Sequence, residues 1–385
     1  MVNGTPLDNI RIIDMTYNLP GPFCTQVLGD LGADIIKIEH KKGDTVRNSP
    51  PFIDGESLFF LFLNRNKRSF CIDIRRKKGL KIFHKLIKSA DVLIHNFLPR
   101  TVDRLKIRYS DIKSVNPALI YCSISGYGQE GDWKNVPGHD LNYLSQAGIL
   151  DVTGPKKLPI PPGVQIADIG GGALPAVISI LAALIGRQKN NGQGQCFDIS
   201  MTHQIIPWLT VAAKDYFYED TTPKREEHFL SGFLPFYRLY RAKDAKYISF
   251  ATLELKFWHN FCEGLEREDL KTKFLDFNYL EKVLPQIFLE RTSEEWENFF
   301  LEYYIPGCKI LTVPEALNKY KESLFELEHP TVGRIKLFSP TFGTRKDILP
   351  PPLLGQHTRE IMNELGYDND QINKFISDNI VLDLK

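Results

Sequence analysis

A rhythm in the first third of the sequence is the strongest constraint on what this chain can become. Between Ile10 and Ser125, short β-branched runs alternate with stretches whose apolar residues recur at helical spacing. Ile10–Met15 reads as a strand, Phe23–Leu31 as a helix and Asp34–Glu39 as a strand again. Ser69–Ile74, Asp91–Asn96 and Leu119–Ser125 read as further strands, with a helix over Lys77–Ser89. Strand–helix–strand alternation builds a parallel sheet covered by helices, with right-handed crossovers. Ligands of such sheets gather at the carboxyl ends of the strands. Further on, the glycine triplet Gly170–Gly172 opens a long apolar helix running to about Ile185. The turn Asn190–Gln195 then feeds a strand at Cys196–Ser200.

At 385 residues the chain exceeds what one core usually supports. The texture changes from about Leu230, where strand-like runs at Phe236–Arg241 and Tyr247–Thr252 precede aromatic, charged helices through Tyr304. This predicts a large α/β domain over 1–205, a linker over 206–229 and a small α+β domain over 230–325. A strand near Thr331–Phe338, the prolines Pro350–Pro352 and a helix over His357–Leu365 fill the remainder, 326–385.

The charge balance, 48 basic against 47 acidic side chains, argues against a nucleic-acid or membrane surface covering the protein. Six cysteines without CxxC spacing read as reduced thiols, neither a disulfide frame nor a zinc site. The N-terminus lacks the basic and apolar regions of a signal peptide. The longest apolar run, near Val177–Ile185, falls short of a bilayer crossing. The expected setting is the cytoplasm or an organelle matrix.

Two positions suggest chemistry. Pro137 and Gly138 break the chain before a helical pattern, which sets His139 in the first turn of a helix. The positive end of a helix disfavours imidazolium, so the ring there suits a neutral general base; on local pattern alone a lone histidine is more often a capping or hydrogen-bonded one. Asp168 precedes Gly170, Gly171 and Gly172, whose amides are open to a ligand and suit an enolate oxygen. Asp168 also reads as a plain N-cap. The cations Arg65, Lys67 and Arg68, with Arg47, Arg100 and Arg104 in neighbouring loops, suit a phosphorylated ligand or a solvated charged loop. GxGxxG, the P-loop, HExxH and GxSxG are all absent.

Several segments together resemble the family III CoA-transferase and racemase superfamily, the CaiB/BaiF type. They are Pro20-Gly21-Pro22-Phe23-Cys24, Leu28–Glu39, Gly43-Asp44 with Arg47, Asn64–Ser69, Ala90–Phe97 and Ser125–Gln129. Gly192–Gln195, Asp198–Met201 and Pro351–Gly355 extend the resemblance to nearly the whole chain. Gly138-His139-Asp140-Leu141-Asn142-Tyr143 and Glu254 in Ala251–Glu254 look like the α-methylacyl-CoA racemase branch, although Phe233-Leu234 and Leu255-Lys256 depart from its pattern. The resemblance implies a Rossmann-like large domain, a C-terminal segment returning to it, and an interlocked homodimer. It implies catalysis by His139, Asp168 and Glu254, and adds Asn96 and Tyr143 to the coenzyme-binding set. It implies no metal and no tightly bound cofactor, with coenzyme A entering as part of the substrate. In a racemase, a proton leaves one face of the α-carbon and returns to the other. In a transferase, the Asp168 carboxylate takes the acyl group as an anhydride. Only four methionines occur, so no methionine-rich acyl surface is expected.

Overall fold

In the structure, a computed structural model describing residues 4–342 and 347–383, the chain divides into two units. The first comprises Met1–Ala147, Val164–Ile206 and Glu322–Lys385; the second comprises Gly148–Gly163 and Pro207–Lys321. The 148–163 excursion into the second unit was not expected from the sequence.

The first unit is built on β1 (Arg11–Met15), α1 (Pro20–Asp30), β2 (Asp34–Glu39), β3 (Lys67–Ile72), α2 (Lys77–Ile87) and β4 (Val92–His95). It continues through α3 (Pro99–Leu105), β5 (Ile120–Ser125), α4 (Asp140–Gln146), a π-helical segment (Ile166–Ala173), α5 (Leu174–Arg187), β6 (Cys196–Ser200) and α6 (Met201–Ile205). Six strands pair in parallel in the order β3-β2-β1-β4-β5-β6. That is the doubly wound arrangement, and its order reverses between β1 and β4, where a crevice opens at the carboxyl ends. Both sheet faces are covered, so the strands are apolar nearly throughout: Ile12, Ile13, Ile36, Phe70, Leu93 and Ile94 are fully buried. The carboxyl ends of β1 and β4 lead directly into the turns that carry Tyr17, Asn18 and Asn96.

In the second unit, β7 (Tyr237–Arg241), β8 (Tyr247–Ala251) and β9 (Gly307–Lys309) form an antiparallel sheet. Its core holds Phe250, Trp258, Phe261, Phe288, Trp296 and Phe300. Helices α7 (Leu255–Gly264), α8 (Phe277–Phe288) and α9 (Ser293–Glu302) supply most of these rings.

The chain then returns to the first unit as a hairpin of β10 (Leu324–His329) and β11 (Gly333–Phe338), which is a sheet of its own. After α10 (Thr358–Glu364), β12 (Val381–Leu382) pairs antiparallel with β3 and closes that edge of the large sheet.

The π-helical segment runs without a break into α5. Residues 166–187 therefore form one apolar helix, long enough to cross a membrane by composition and longer than the sequence pattern predicted. It packs one face on α1, β5 and α6 in the sheet's covering layer and leaves the other exposed.

Candidate active site

The crevice at the β1/β4 switch point is a cavity of about 520 Å³ lined by residues of the first unit alone. Tyr17 and Asn18, just past β1, form one wall. Asn18 holds a left-handed φ of +66°, a conformation that asparagine tolerates better than most residues. Asp44 accepts the Asn18 amide at 3.2 Å, and the Thr45 hydroxyl donates to the Asn18 side chain at 2.5 Å. Asn96, just past β4, clamps the neighbouring peptide: its Oδ1 accepts from Tyr17 N at 3.1 Å and its Nδ2 donates to Tyr17 O at 2.7 Å. Buried His95 props this turn, accepting the Phe97 amide at 3.2 Å and pairing with the Tyr121 hydroxyl at 2.8 Å. Burial drives the His95 pKa down to about 3, so the ring is a neutral strut.

The opposite wall carries His139, Tyr143 and Asp168. His139 is the N-cap residue of α4 rather than part of its first turn, and its amide donates to Asn142 Oδ1 at 3.0 Å. The ring is exposed. Tyr143, buried, donates its hydroxyl to Gly138 O. The ring lies so close to the chain that a Cβ on Gly126 would come within 2.2 Å of it, so glycine is needed there. Burial and the Asp168 carboxylate raise the Tyr143 hydroxyl above its ordinary range.

Asp168 is drawn to this wall by its own backbone. Its amide donates at 2.9 Å to Asp140 Oδ1, one residue beyond His139. That bond joins two segments 28 positions apart and brings both candidate groups to one cavity. Burial, seconded by the Asp140 charge, pushes the Asp168 carboxyl up to about 7. Near neutral pH it is therefore divided between acid and base. The Asp140 tether was missed in the sequence, where an acid in the first turn of a helix signals only a favourable helix end.

Most of the expected phosphate-binding cations are committed elsewhere. Lys67 is fully buried beneath the sheet, donating to Pro22 O and Asn64 Oδ1 at 2.9 Å, with Asp14 at 3.3 Å. Arg65 forks onto Asp30 at 2.9 and 2.6 Å. Arg68 is held by Asp34 and Glu364, and Arg47 by Glu39 and the Pro352 carbonyl beneath Phe60. The reason is general: a cation rooted in a covered sheet must meet a carboxylate inside it. Arg104 and Arg100, on α3 two turns or less past Leu98 of the cavity wall, remain exposed. Accordingly, Arg65→Ala should cost about 3–5 kcal/mol in urea unfolding by stranding Asp30. A normal unfolding midpoint with a raised KM for a CoA thioester would restore Arg65 to ligand binding.

The glycine triplet also differs from expectation. Gly171 and Gly172 lie inside the π-helix, where their amides enter its own hydrogen-bond ladder. Both are buried, and a Cβ on Gly171 would meet Met201 O at 2.6 Å while one on Gly172 would meet the Met201 side chain at 2.9 Å. These glycines serve close packing on α6, and Gly170, half-buried beside them, lines no part of the cavity. Glu254 is exposed at the N-cap of α7 in the second unit and is not in the cavity wall. A larger cavity, about 800 Å³, lies within the second unit around His228 and Arg238, but none of the expected site residues lines it. Chemistry rather than size selects the crevice. Among the described residues no group of three or more His, Cys, Asp and Glu is placed to hold a metal ion.

The family model of CoA-transferase family III matches residues 7–358. The chain belongs to that family. Family III relatives include the human succinyl-CoA:glutarate CoA-transferase, 34% identical over 99% of this chain and 91% of that protein. The mouse α-methylacyl-CoA racemase is 30% identical over 97% of each chain. A CaiB/BaiF family protein from Brucella suis has a similar solved structure, with a TM-score of 0.79 and 28% identity, covering 94% of this chain and 100% of that one. Family III thus contains both reaction types among the relatives of this chain.

Proposed function

We propose that the protein is an acyl-CoA epimerase of the α-methylacyl-CoA racemase type, exchanging the α-proton of a 2-methylacyl thioester. One observation carries this reading: His139 and a carboxyl poised near neutrality, Asp168, line the same cavity. A thioester acidifies its α-carbon. One group takes the proton, the C–H electron pair moves into an enolate, and the other group returns a proton to the opposite face. Each contributes on the order of 10²–10⁴-fold. Tyr143, Asn96 and exposed Arg104 are the remaining candidates for gripping the coenzyme. The active species is taken as a homodimer, interlocked as in the family reading, with Glu254 as its third catalytic group.

A second reading is favoured by the transferase relatives: Asp168 attacks the thioester carbonyl and CoA leaves as thiolate, the acceptor carboxylate displaces the donor acid from the anhydride at the Asp168 carbonyl, and the thiolate attacks the acceptor's carbonyl, freeing the Asp168 carboxylate. The two separate cleanly. With enzyme alone in deuterated buffer, an epimerase washes deuterium into the α-position; a transferase leaves the α-position unlabelled, requires an acceptor, and forms a hydroxylamine-sensitive adduct on Asp168.

Support for the dimer comes from α5, where Ile178 and Ile185, two turns apart on one face, are 66% and 71% exposed. Because interlocked subunits separate only on unfolding, Ile178→Glu/Ile185→Glu should lower the urea midpoint by burying unpaired carboxylates in that interface. An unchanged midpoint removes this face from the interface.

A further inference from the structure

The proposed chemistry gathers negative charge on the thioester oxygen, and the glycine amides expected to meet it line no part of the crevice. Such charge is best met by a donor fixed in place before the reaction. Most side-chain donors of the crevice are spent or exposed to water. Asn96 gives its amide to Tyr17 O and Tyr143 its hydroxyl to Gly138 O, while Asn18 and Asn142 are exposed. Beside His139 and Asp168, the described residues of the wall leave the hydroxyls of Tyr17 and Ser125. Ser125 is only 5% exposed, and its oxygen already accepts the Gly128 amide at 3.0 Å.

The turn that carries Tyr17 is clamped throughout. Asp14 Oδ1 accepts Thr16 N at 2.8 Å, and Lys37 Nζ donates to Thr16 O at 2.7 Å. Asn96 takes both peptide groups of Tyr17, and Asp44 accepts Asn18 N. Every peptide group from Thr16 N to Asn18 N is thus held by a side chain. Lys37 and Asp44 pair at 2.9 Å in the interior, so water does not loosen the clamp. The Tyr17 ring packs on Phe97, with centroids 5.7 Å apart. Only the hydroxyl is left over. Among the described residues it has no hydrogen-bond partner, and it is open in the crevice wall. Burial, then the Asp44 carboxylate, holds the phenol above its ordinary range, so near neutral pH it is a donor. The Tyr143 hydroxyl feels both this phenol and the Asp168 carboxylate, so the two lie within electrostatic reach of one point in the crevice.

We propose that Tyr17 is a further catalytic residue, its hydroxyl donating to the thioester carbonyl oxygen and holding the charge that collects there. The inference rests on the acyl-CoA reading above and names the group that stabilises its intermediate. As the α-proton passes to Asp168 or His139, the C–H electron pair becomes the new carbon–carbon double bond and the carbonyl π pair moves onto oxygen. Tyr17 keeps its proton throughout, so reprotonation at the α-carbon restores the thioester and leaves the phenol unchanged. In acyl transfer the same donor faces the tetrahedral oxyanion, so the assignment does not depend on which reaction the crevice runs.

Tyr17→Phe removes only this hydroxyl and keeps the ring against Phe97, so its urea midpoint should match that of the wild type. In deuterated buffer its kcat for α-exchange into 2-methylbutanoyl-CoA should fall about 10²–10³-fold, the scale of one lost oxyanion donor, while KM changes little. Infrared difference spectroscopy of the same probe, labelled with carbon-13 at the carbonyl and bound at saturation, reads the contact without turnover. The bound carbonyl band should lie at higher frequency in Tyr17→Phe than in the wild type, and Ser125→Ala should leave it unmoved. A band unchanged in Tyr17→Phe overturns the proposal, as does one that moves in Ser125→Ala instead. So does a Tyr17→Phe variant that keeps the wild-type kcat. Should the band respond to Tyr17 while the wild type neither exchanges deuterium nor transfers an acyl group, the chemistry assigned to Asp168 fails and the Tyr17 contact stands.

Discussion

Asp168→Asn should lower α-deuterium exchange into a 2-methylacyl-CoA by about 10²–10⁴-fold, and His139→Ala by a similar factor. The asparagine is nearly isosteric and leaves intact the Asp168 amide bond to Asp140, so the segment keeps its place while losing its proton acceptor. His139 is exposed and its ring is not needed to close the helix end, because Asn142 already accepts its amide. Both variants should therefore fold and bind coenzyme A as the wild type does, which calorimetry checks. In epimerisation, read by resolving the two epimers, the double variant should be scarcely slower than either single one. An enolate formed without a proton donor on the far face simply returns its proton, so the two groups act as a unit. Proton NMR of the α-position in deuterated buffer reads the exchange directly. A transferase predicts a different asymmetry: Asp168→Asn silences acyl transfer and His139→Ala leaves it standing. Full exchange in His139→Ala removes that residue from the chemistry.

The alternating strands and helices of the first unit were legible because most of its strands are short apolar runs buried on both faces, which few other local patterns imitate. The third strand began two residues earlier than expected, at Lys67, since a pattern of cations reads locally as a loop. Only the fold brings Asp14, Asp34 and Asp30 against Lys67, Arg68 and Arg65, and that pairing turns a solvated run into sheet and its margin. The glycine triplet was misread for a related reason. Three glycines look flexible in isolation, but here Gly171 and Gly172 admit the Met201 backbone and side chain, a contact about thirty positions away. In the site, the break at Pro137-Gly138 announced a helix start with His139 at its edge. The bond that unites this edge with Asp168 is invisible without coordinates, because nothing in either segment's local pattern specifies the other.

The raised carboxyl of Asp168 fixes a pH dependence that also separates the two reaction types. With a pKa of about 7, it is roughly 1% ionised at pH 5 and half ionised at pH 7. Transfer begins with the carboxylate as nucleophile, so acylation should rise about fifty-fold between those values and then level off. Epimerisation behaves otherwise. The equilibrium between two epimers involves no net proton, so both directions must share one pH profile. Each direction needs one member of the pair protonated and the other not, and the profile is a bell with one limb near pH 7. Stability carries the same signature. Asp168 titrates near 3.8 when unfolded and near 7 when folded, so the folded state holds the proton more tightly. The stability this confers is complete below about pH 4 and is lost as pH rises through 7. Asp168→Asn lacks the linkage, so relative to the wild type it should gain about 2 kcal/mol between pH 5.5 and pH 8 in urea unfolding. An activity profile with no inflection near pH 7, together with parallel unfolding curves for the two proteins, would mean that the carboxyl is solvated and not held poised, and neither mechanism could draw on it at neutral pH.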